Sequence, residues 1–179
     1  MINILAISGS LKSTSSNTAI IKAIAGLSPA NVQISLYEGL GDLPHFSPDI
    51  DGGKSAESVV HFRKLLQEAQ GIIICTPEYA FGMPGVLKNA LDWTVSSGEL
   101  TGKPAAAISA SPLYSGGENA HASLMLTLKA LSSKVAEKSQ LQIPSVYGKF
   151  DPEGNVSDEK TKQSLIIVID SLLQTIENQ

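Results

Sequence analysis

Residues 8–18 read SGSLKSTSSNT, a run of hydroxyls and backbone amides between an apolar stretch that stops at Ser8 and a helical pattern that begins near Ile20. Ser10, Ser15, Ser16, Asn17 and Thr18 are short polar side chains, and Lys12 adds one positive charge. Such a set suits an anion. A helix opening here would aim its free N–H groups and the positive end of its dipole the same way. The chemistry is that of holding a terminal phosphate without the lysine and Mg²⁺ of a nucleotide triphosphatase. The motifs G-x-x-x-x-G-K-[ST] and G-x-G-x-x-G both fail on spacing, because Gly9 has no partner glycine at the required distance. Taken alone, the loop reads equally as a polar turn with an N-cap.

A second group lies in TPEYAFGMPGVLKNALDW, residues 76–93. Pro77 ends an apolar strand, and Pro84-Gly85 opens the next helix, where proline is tolerated. Between them, backbone amides of Glu78, Tyr79, Ala80 and Phe81 could meet the polar edge of a flat heterocycle, with the two aromatic rings as apolar cover. Glu78 has the alternative of being a solvated carboxylate. Trp93, at helical spacing from Val86 and Ala90, reads as core or subunit interface, and Lys88 as a surface or interface charge.

Nucleophilic and metal chemistry find no comparable set. There is no G-x-S-x-G elbow. His45, His61 and His121 are far apart in the chain, and no Cys/His cluster has metal-ligand spacing. Cys75 ends an apolar strand and reads as an inert buried thiol, His61 as a partly exposed helix residue and His45 as a loop residue.

These groups need elements to carry them. Apolar runs of strand length recur at 2–7, 32–36, 71–75, 104–109 and near 138–143. Helical spacing links Ile20, Ile24 and Leu27, then Leu87, Leu91 and Val95, then Leu124, Leu128 and Leu131, and finally Leu165, Ile169, Leu172 and Ile176. Residues 55–69 form a further helix, with Ser55 suited to cap it. Strands alternating with helices imply an α/β fold: a doubly wound, flavodoxin-like, five-stranded parallel sheet in the order 2-1-3-4-5 with helices on both faces. In such a sheet ligands bind beyond the carboxyl ends of the strands, where the strand order reverses. Both polar loops fall there. The connection 38–54, rich in Gly, Pro and Asp, is long enough to be functional or disordered.

Composition bounds the rest. The 179 residues fit one domain spanning 1–179. A net charge of −4 and a single arginine, Arg63, leave no basic face for a nucleic acid. No apolar run has the length of a membrane span. The start MINILAIS lacks a basic leader and reads as a first strand instead of a signal peptide. One cysteine excludes an internal disulfide and suits the cytoplasm.

The motifs carry a likeness. GSLKSTSSN (9–17) resembles the phosphate loop G-S-[LX]-R-x-x-S-x-N of the NAD(P)H-dependent FMN reductases. PEYAFGMPGVLKNALDW (77–93) is similar to that family's signature P-E-Y-N-x-[GS]-x-P-G-x-L-K-N-A-x-D-W, and LPHFSPDID (43–51) to its LP-x-[FY]-x-x-D loop. FDPEGNVSD (150–158) is similar to the segment before its last helix, and SPLYSGG (111–117) to its S-x-G-x-x-G-G loop.

The resemblance implies an enzyme that binds FMN and takes hydride from NADPH or NADH for a small-molecule acceptor: a quinone, flavin, azo or nitro compound, or metal oxyanion. The flavin carries the redox chemistry, so no catalytic side chain is required. By the same likeness Ser10, Lys12, Ser15, Ser16, Asn17 and Thr18 hold the phosphate. Pro77, Glu78, Tyr79 and Ala80, with Ser111, Ser115 and Gly116, flank the ring system. A homodimer or homotetramer with each flavin near a subunit interface is implied as well. Lys12 stands where the family has arginine, Ala80 where it has asparagine, Leu113 where it has glycine, and Met125 where arginine is common. His121 follows Gly116-Gly117, and a place near the nicotinamide or the acceptor is its lesser reading. The alternatives from other classes are a flavodoxin-type electron carrier, for which −4 is a mild charge, and an FMN-binding module without turnover.

Overall fold

The computed structural model describes residues 1–151 and 154–179. Its main elements run β1 (Ile2–Ser8), α1 (Ser16–Leu27), β2 (Val32–Tyr37), α2 (Glu57–Glu68), β3 (Gly71–Thr76), α3 (Gly85–Asp92), β4 (Ala105–Ala110), α4 (Glu118–Ala130), β5 (Gln140–Ile143) and α5 (Glu159–Glu177). All strand pairs are parallel and the sheet order is β2-β1-β3-β4-β5, as expected. The expected strand near 138–143 starts at Gln140, after a short 3₁₀ turn at Glu137–Ser139.

The two-residue period of the strands builds two cores. Leu5, Ile7, Ile72, Ile74, Ala105 and Ala107 face α2, α3 and α4. Their neighbours Ile4, Ala6, Ile73, Cys75, Ala106 and Ile108 face α1 and α5. Every residue of β3 and β4 is buried, which is why both strands read as continuous apolar or small-residue runs. Each fully buried isoleucine contributes about 1.5–3 kcal/mol relative to an exposed one.

Helix boundaries depart from the sequence expectation at two places. Ser55 does not cap α2. The N-cap is Ala56, which makes no side-chain capping bond. Ser55 instead receives a 3.5 Å bond from Arg63 Nη1, because the preceding chain arrives bent by a 3₁₀ turn at Gly52–Lys54. Val95, expected to continue α3, lies past its end and is exposed. Leu87, Ala90 and Leu91 form the buried stripe.

The connection 38–54 is a strap across α3. It contains 3₁₀ turns at Gly39–Asp42, Pro48–Ile50 and Gly52–Lys54. Asn89 Oδ1 accepts from Phe46 N–H at 2.8 Å, its amide nitrogen donates to the Pro44 carbonyl at 3.0 Å, and Trp93 Nε1 donates to the same carbonyl at 2.8 Å. Trp93, fully buried, packs edge-on against Phe46, as its helical spacing predicts for a core residue. Arg63 secures the far end, donating to Asp51 Oδ1 at 2.7 Å and from Nε to the Trp93 carbonyl at 2.9 Å. Ser96 first and Arg63 next hold the Asp51 carboxyl down to about 2. The segment 150–158 includes Pro152 and Glu153, which lie outside the described residues.

Candidate functional site

The loops after β1, β3, β4 and β5 leave the sheet at one edge and enclose a crevice of about 190 Å³. The first loop leaves β1 at Gly9, whose N–H donates to the Cys75 carbonyl at 2.8 Å. A Cβ at Gly9 would meet Leu87 Cδ2 at 3.0 Å and Thr76 Oγ1 at 3.2 Å, so a larger residue there would push on the side chains of β3 and α3.

Ser15 is the N-cap of α1. Its backbone is extended (φ −76°, ψ 127°) and its hydroxyl accepts from Asn17 N–H at 3.2 Å. The first turn of α1 contains no acidic residue, so the positive end of the helix is left uncompensated at the crevice. Thr18 Oγ1 donates to Ser8 Oγ at 3.1 Å, and Lys12 N–H to Ser10 Oγ at 3.2 Å, which fold the loop over this end.

The second wall is the loop after β3. Tyr79 and Gly82 exchange backbone hydrogen bonds of 3.0 and 3.1 Å across a two-residue turn. Both central residues are left-handed, Ala80 at φ 49° and Phe81 at φ 59°, the pattern of a type I′ turn that asparagine and glycine prefer. Tyr79 and Phe81 stand exposed on it. Glu78 is not a free surface carboxylate. Its Oε2 accepts from Ala120 N–H at 2.9 Å, in the first turn of α4.

The third wall follows β4. Ser111, buried, accepts from Leu113 N–H at 3.1 Å, while Leu113, Tyr114 and Ser115 are exposed. Gly116 and Gly117 turn the chain into α4 with φ of 62° and 80°. Ser109 Oγ donates to the Gly116 carbonyl at 2.8 Å.

Of the residues singled out in the sequence, Ser10, Lys12, Ser15, Ser16, Asn17, Pro77, Glu78, Tyr79 and Ser111 line the crevice together. Thr18, Ala80, Ser115 and Gly116 stand beside it without lining it. Thr14, Ala110, Pro112, Val146 and Tyr147 line it without having been expected. Tyr147 is the notable omission, an exposed ring on a 3₁₀ turn (Val146–Lys149) after β5. Topology was the available signal, since the loop after β5 must leave the sheet at the same edge as the others.

The remaining titratable candidates sort by burial. Cys75 is fully buried, and burial pushes its thiol up. His121 is also buried, and burial pushes its imidazole below 6.5 against a hydrogen bond with the Gln140 side chain. Its Nδ1 has no hydrogen-bond partner among the described residues. Among the described residues no group of three or more His, Cys, Asp or Glu could hold a metal ion, and no helix is long and apolar enough to cross a membrane.

A donor-lined crevice at the carboxyl edge of a parallel 2-1-3-4-5 sheet, over an uncompensated helix N-terminus, defines a flavodoxin-like protein with an anion-receiving site. Comparison with known proteins narrows the class. Residues 2–148 match the NADPH-dependent FMN reductase family. The chain is 35% identical over 164 residues to an NAD(P)H-dependent FMN reductase of Pseudomonas aeruginosa, covering 90% of this chain and 88% of that one. It is 34% identical to an NADPH:quinone oxidoreductase of Arabidopsis thaliana, covering 96% and 90% of the two. The solved flavoenzyme NAD(P)H:(acceptor) oxidoreductase FerB of Paracoccus denitrificans superposes with a TM-score of 0.90 at 29% identity, covering 99% of this chain and 98% of that one. The chain belongs to the NADPH-dependent FMN reductase family. It is therefore an oxidoreductase of the kind that works with FMN and a reduced nicotinamide.

Proposed function

We propose that the protein binds FMN in the crevice between the loops after β1, β3, β4 and β5, and reduces a small acceptor, a quinone in the first instance, at the expense of NADPH or NADH. The single observation that carries this reading is the set of convergent donors over α1. Asn17, Ser10 and Lys12 line the crevice, Ser15 orders the helix start, and no carboxylate in the loop or first turn opposes an anion. The residues fit a monophosphate tail. Larger hollows elsewhere, of about 420 Å³ beside Lys22 and Lys162 and about 410 Å³ beside Val95 and Leu126, lack such a set.

Bound there, FMN would supply the hydride chemistry itself, with NADPH or NADH as donor and a quinone, flavin, azo compound or metal oxyanion as acceptor. The chain's part is to hold and orient. Ser10, Lys12, Ser15, Ser16, Asn17 and Thr18 hold the phosphate. Pro77, Glu78, Tyr79 and Ala80 frame the ring on one side, and Ser111, Ser115 and Gly116 on the other. Glu78 has its Oε2 engaged by Ala120 N–H, which fixes the side chain at this wall. The entire chain, 1–179, acts as a single FMN-binding domain in this reading.

We infer also that the protein is a cytoplasmic homodimer or homotetramer. Exposed Val95 and Leu126 beside a hollow shared by the ends of α3 and α4 support an association surface, and a sole buried cysteine suits a reducing compartment. Light scattering on the purified protein reads the mass directly.

The test is spectroscopic. Apoprotein mixed with FMN should gain a bound-flavin absorbance spectrum and oxidise NADH or NADPH when a naphthoquinone is added. Replacing Ser10 and Asn17 with glutamate should abolish flavin binding. Protein that binds no FMN, or a double variant that binds it normally, overturns the assignment of the cofactor to this crevice.

A further inference from the structure

Cys75, next to last in β3, lies beneath the phosphate loop, and among the described residues its thiol has one partner. Its sulfur lies 3.1 Å from Asn17 Oδ1, across 58 residues of sequence. Both side chains are buried, Cys75 fully and Asn17 at 4% exposure. A carboxamide oxygen can only accept, so this contact requires the S–H as donor. Full burial keeps the thiol protonated and therefore able to donate.

The contact has a consequence for the other half of the amide. With Oδ1 turned inward to Cys75, Nδ2 is the polar atom that faces the crevice, whose wall Asn17 forms. Among the described residues that nitrogen makes no hydrogen bond, yet it is not sealed from solvent, so it retains access to the crevice. An amide in the opposite rotamer would present its oxygen to an anion and repel it. Asn17 N–H is already taken by the Ser15 hydroxyl at 3.2 Å, so its side chain is the group left to act.

We propose that Cys75 is a positioning residue: its buried S–H locks the Asn17 carboxamide with the NH₂ facing the crevice, and so gives the site its preference for a phosphorylated flavin. This rests on the assignment of the phosphate to the α1 loop. The sequence reading of Cys75 as an inert buried thiol holds for its reactivity and misses its hydrogen bond.

The experiment compares FMN with riboflavin, which lacks the phosphate, by quenching of flavin fluorescence on titration with apoprotein. Wild type, Cys75→Ser, Cys75→Val, Asn17→Ala and the Cys75→Val/Asn17→Ala double variant are measured, with circular dichroism as the check on folding. Cys75→Val fills the space but cannot donate, and should lose about two- to fivefold of the FMN-over-riboflavin preference, the worth of one weak S–H hydrogen bond. Cys75→Ser retains a donor and should keep a preference no lower than that of the wild type. In the Asn17→Ala background Cys75→Val should change the preference no further.

A Cys75→Val variant with the wild-type preference overturns the inference and leaves the FMN assignment standing. So does equal weakening of both flavins in the valine and serine variants, which would mark a packing role only. Wild-type protein that binds FMN no more tightly than riboflavin overturns the phosphate assignment and this inference together.

Discussion

Glu78 caps a helix that begins 40 residues further along the chain. Its Oε2 accepts the N–H of Ala120 at 2.9 Å, 42 positions away, in the first turn of α4. The N-cap of α4 is Gly117, left-handed at φ 80°, with no side chain to do this work. A carboxylate at this end also meets the helix dipole favourably. The bond ties the loop after β3 to the start of α4, just past the loop after β4, and so links two of the walls of the crevice. Glu78→Ala should cost about 1 kcal/mol in urea denaturation, the usual value of a lost cap, while Glu78→Gln, which keeps a carbonyl acceptor, should lose less. Equal losses in the two variants would contradict the capping role.

Arg63 is the sole arginine of the chain and is spent on structure. Its side chain, 12% exposed, bonds Asp51 and the Trp93 carbonyl, sits 5.7 Å from the Trp93 ring centroid and lies 3.9 Å from Glu99, whose side chain is 1% exposed. Removing it would leave the buried Glu99 carboxylate without its nearest cation. Arg63→Ala should therefore lose roughly 3–5 kcal/mol. Arg63→Lys should recover less than half of that, since an ammonium cannot reproduce the planar fork. Denaturant midpoints of both variants check this, and full rescue by lysine would refute it.

Ala80 occupies left-handed backbone at φ 49° followed by Phe81 at φ 59°. Asparagine tolerates that conformation better because its short polar side chain bonds locally. Ala80→Asn should raise stability by roughly 0.5–1 kcal/mol, measured as a shift in the urea midpoint at unchanged slope. A neutral or destabilising result would show that the turn relaxes elsewhere in solution.

His121 makes stability depend on pH. Burial depresses its folded value below 6.5, so the unfolded chain takes up the proton first as pH falls. The contribution of the neutral imidazole is complete above 6.5 and is lost as pH drops through the folded value. A protonated ring would also bury a second N–H at Nδ1, which has no acceptor among the described residues. Stability curves of wild type and His121→Gln should converge in slope above pH 7 and diverge below it, with the wild type the steeper. Parallel curves between pH 7.5 and pH 5 would exclude His121 as the source.

Much of the fold and part of the site were legible in the residues alone. Strand and helix periods, the apolar β3 and the hydroxyl-rich loop required only local pattern, because burial of one face or two imposes its own spacing. The crossover rules for parallel sheets then placed both polar loops at one edge. Ser10, Lys12, Ser15, Ser16 and Asn17 lie on the crevice for that reason.

Partnerships were decided by the tertiary structure. Ser55 yields its expected cap because a 3₁₀ turn redirects the chain before α2. Glu78 lines the crevice and also bonds α4, Tyr147 arrives from the far end of the sheet, and Cys75 meets Asn17 across the interior. Sequence period records which face of an element is buried. Which polar atom receives a given hydrogen depends on where distant loops cross, and that is set only when the sheet closes over its two cores.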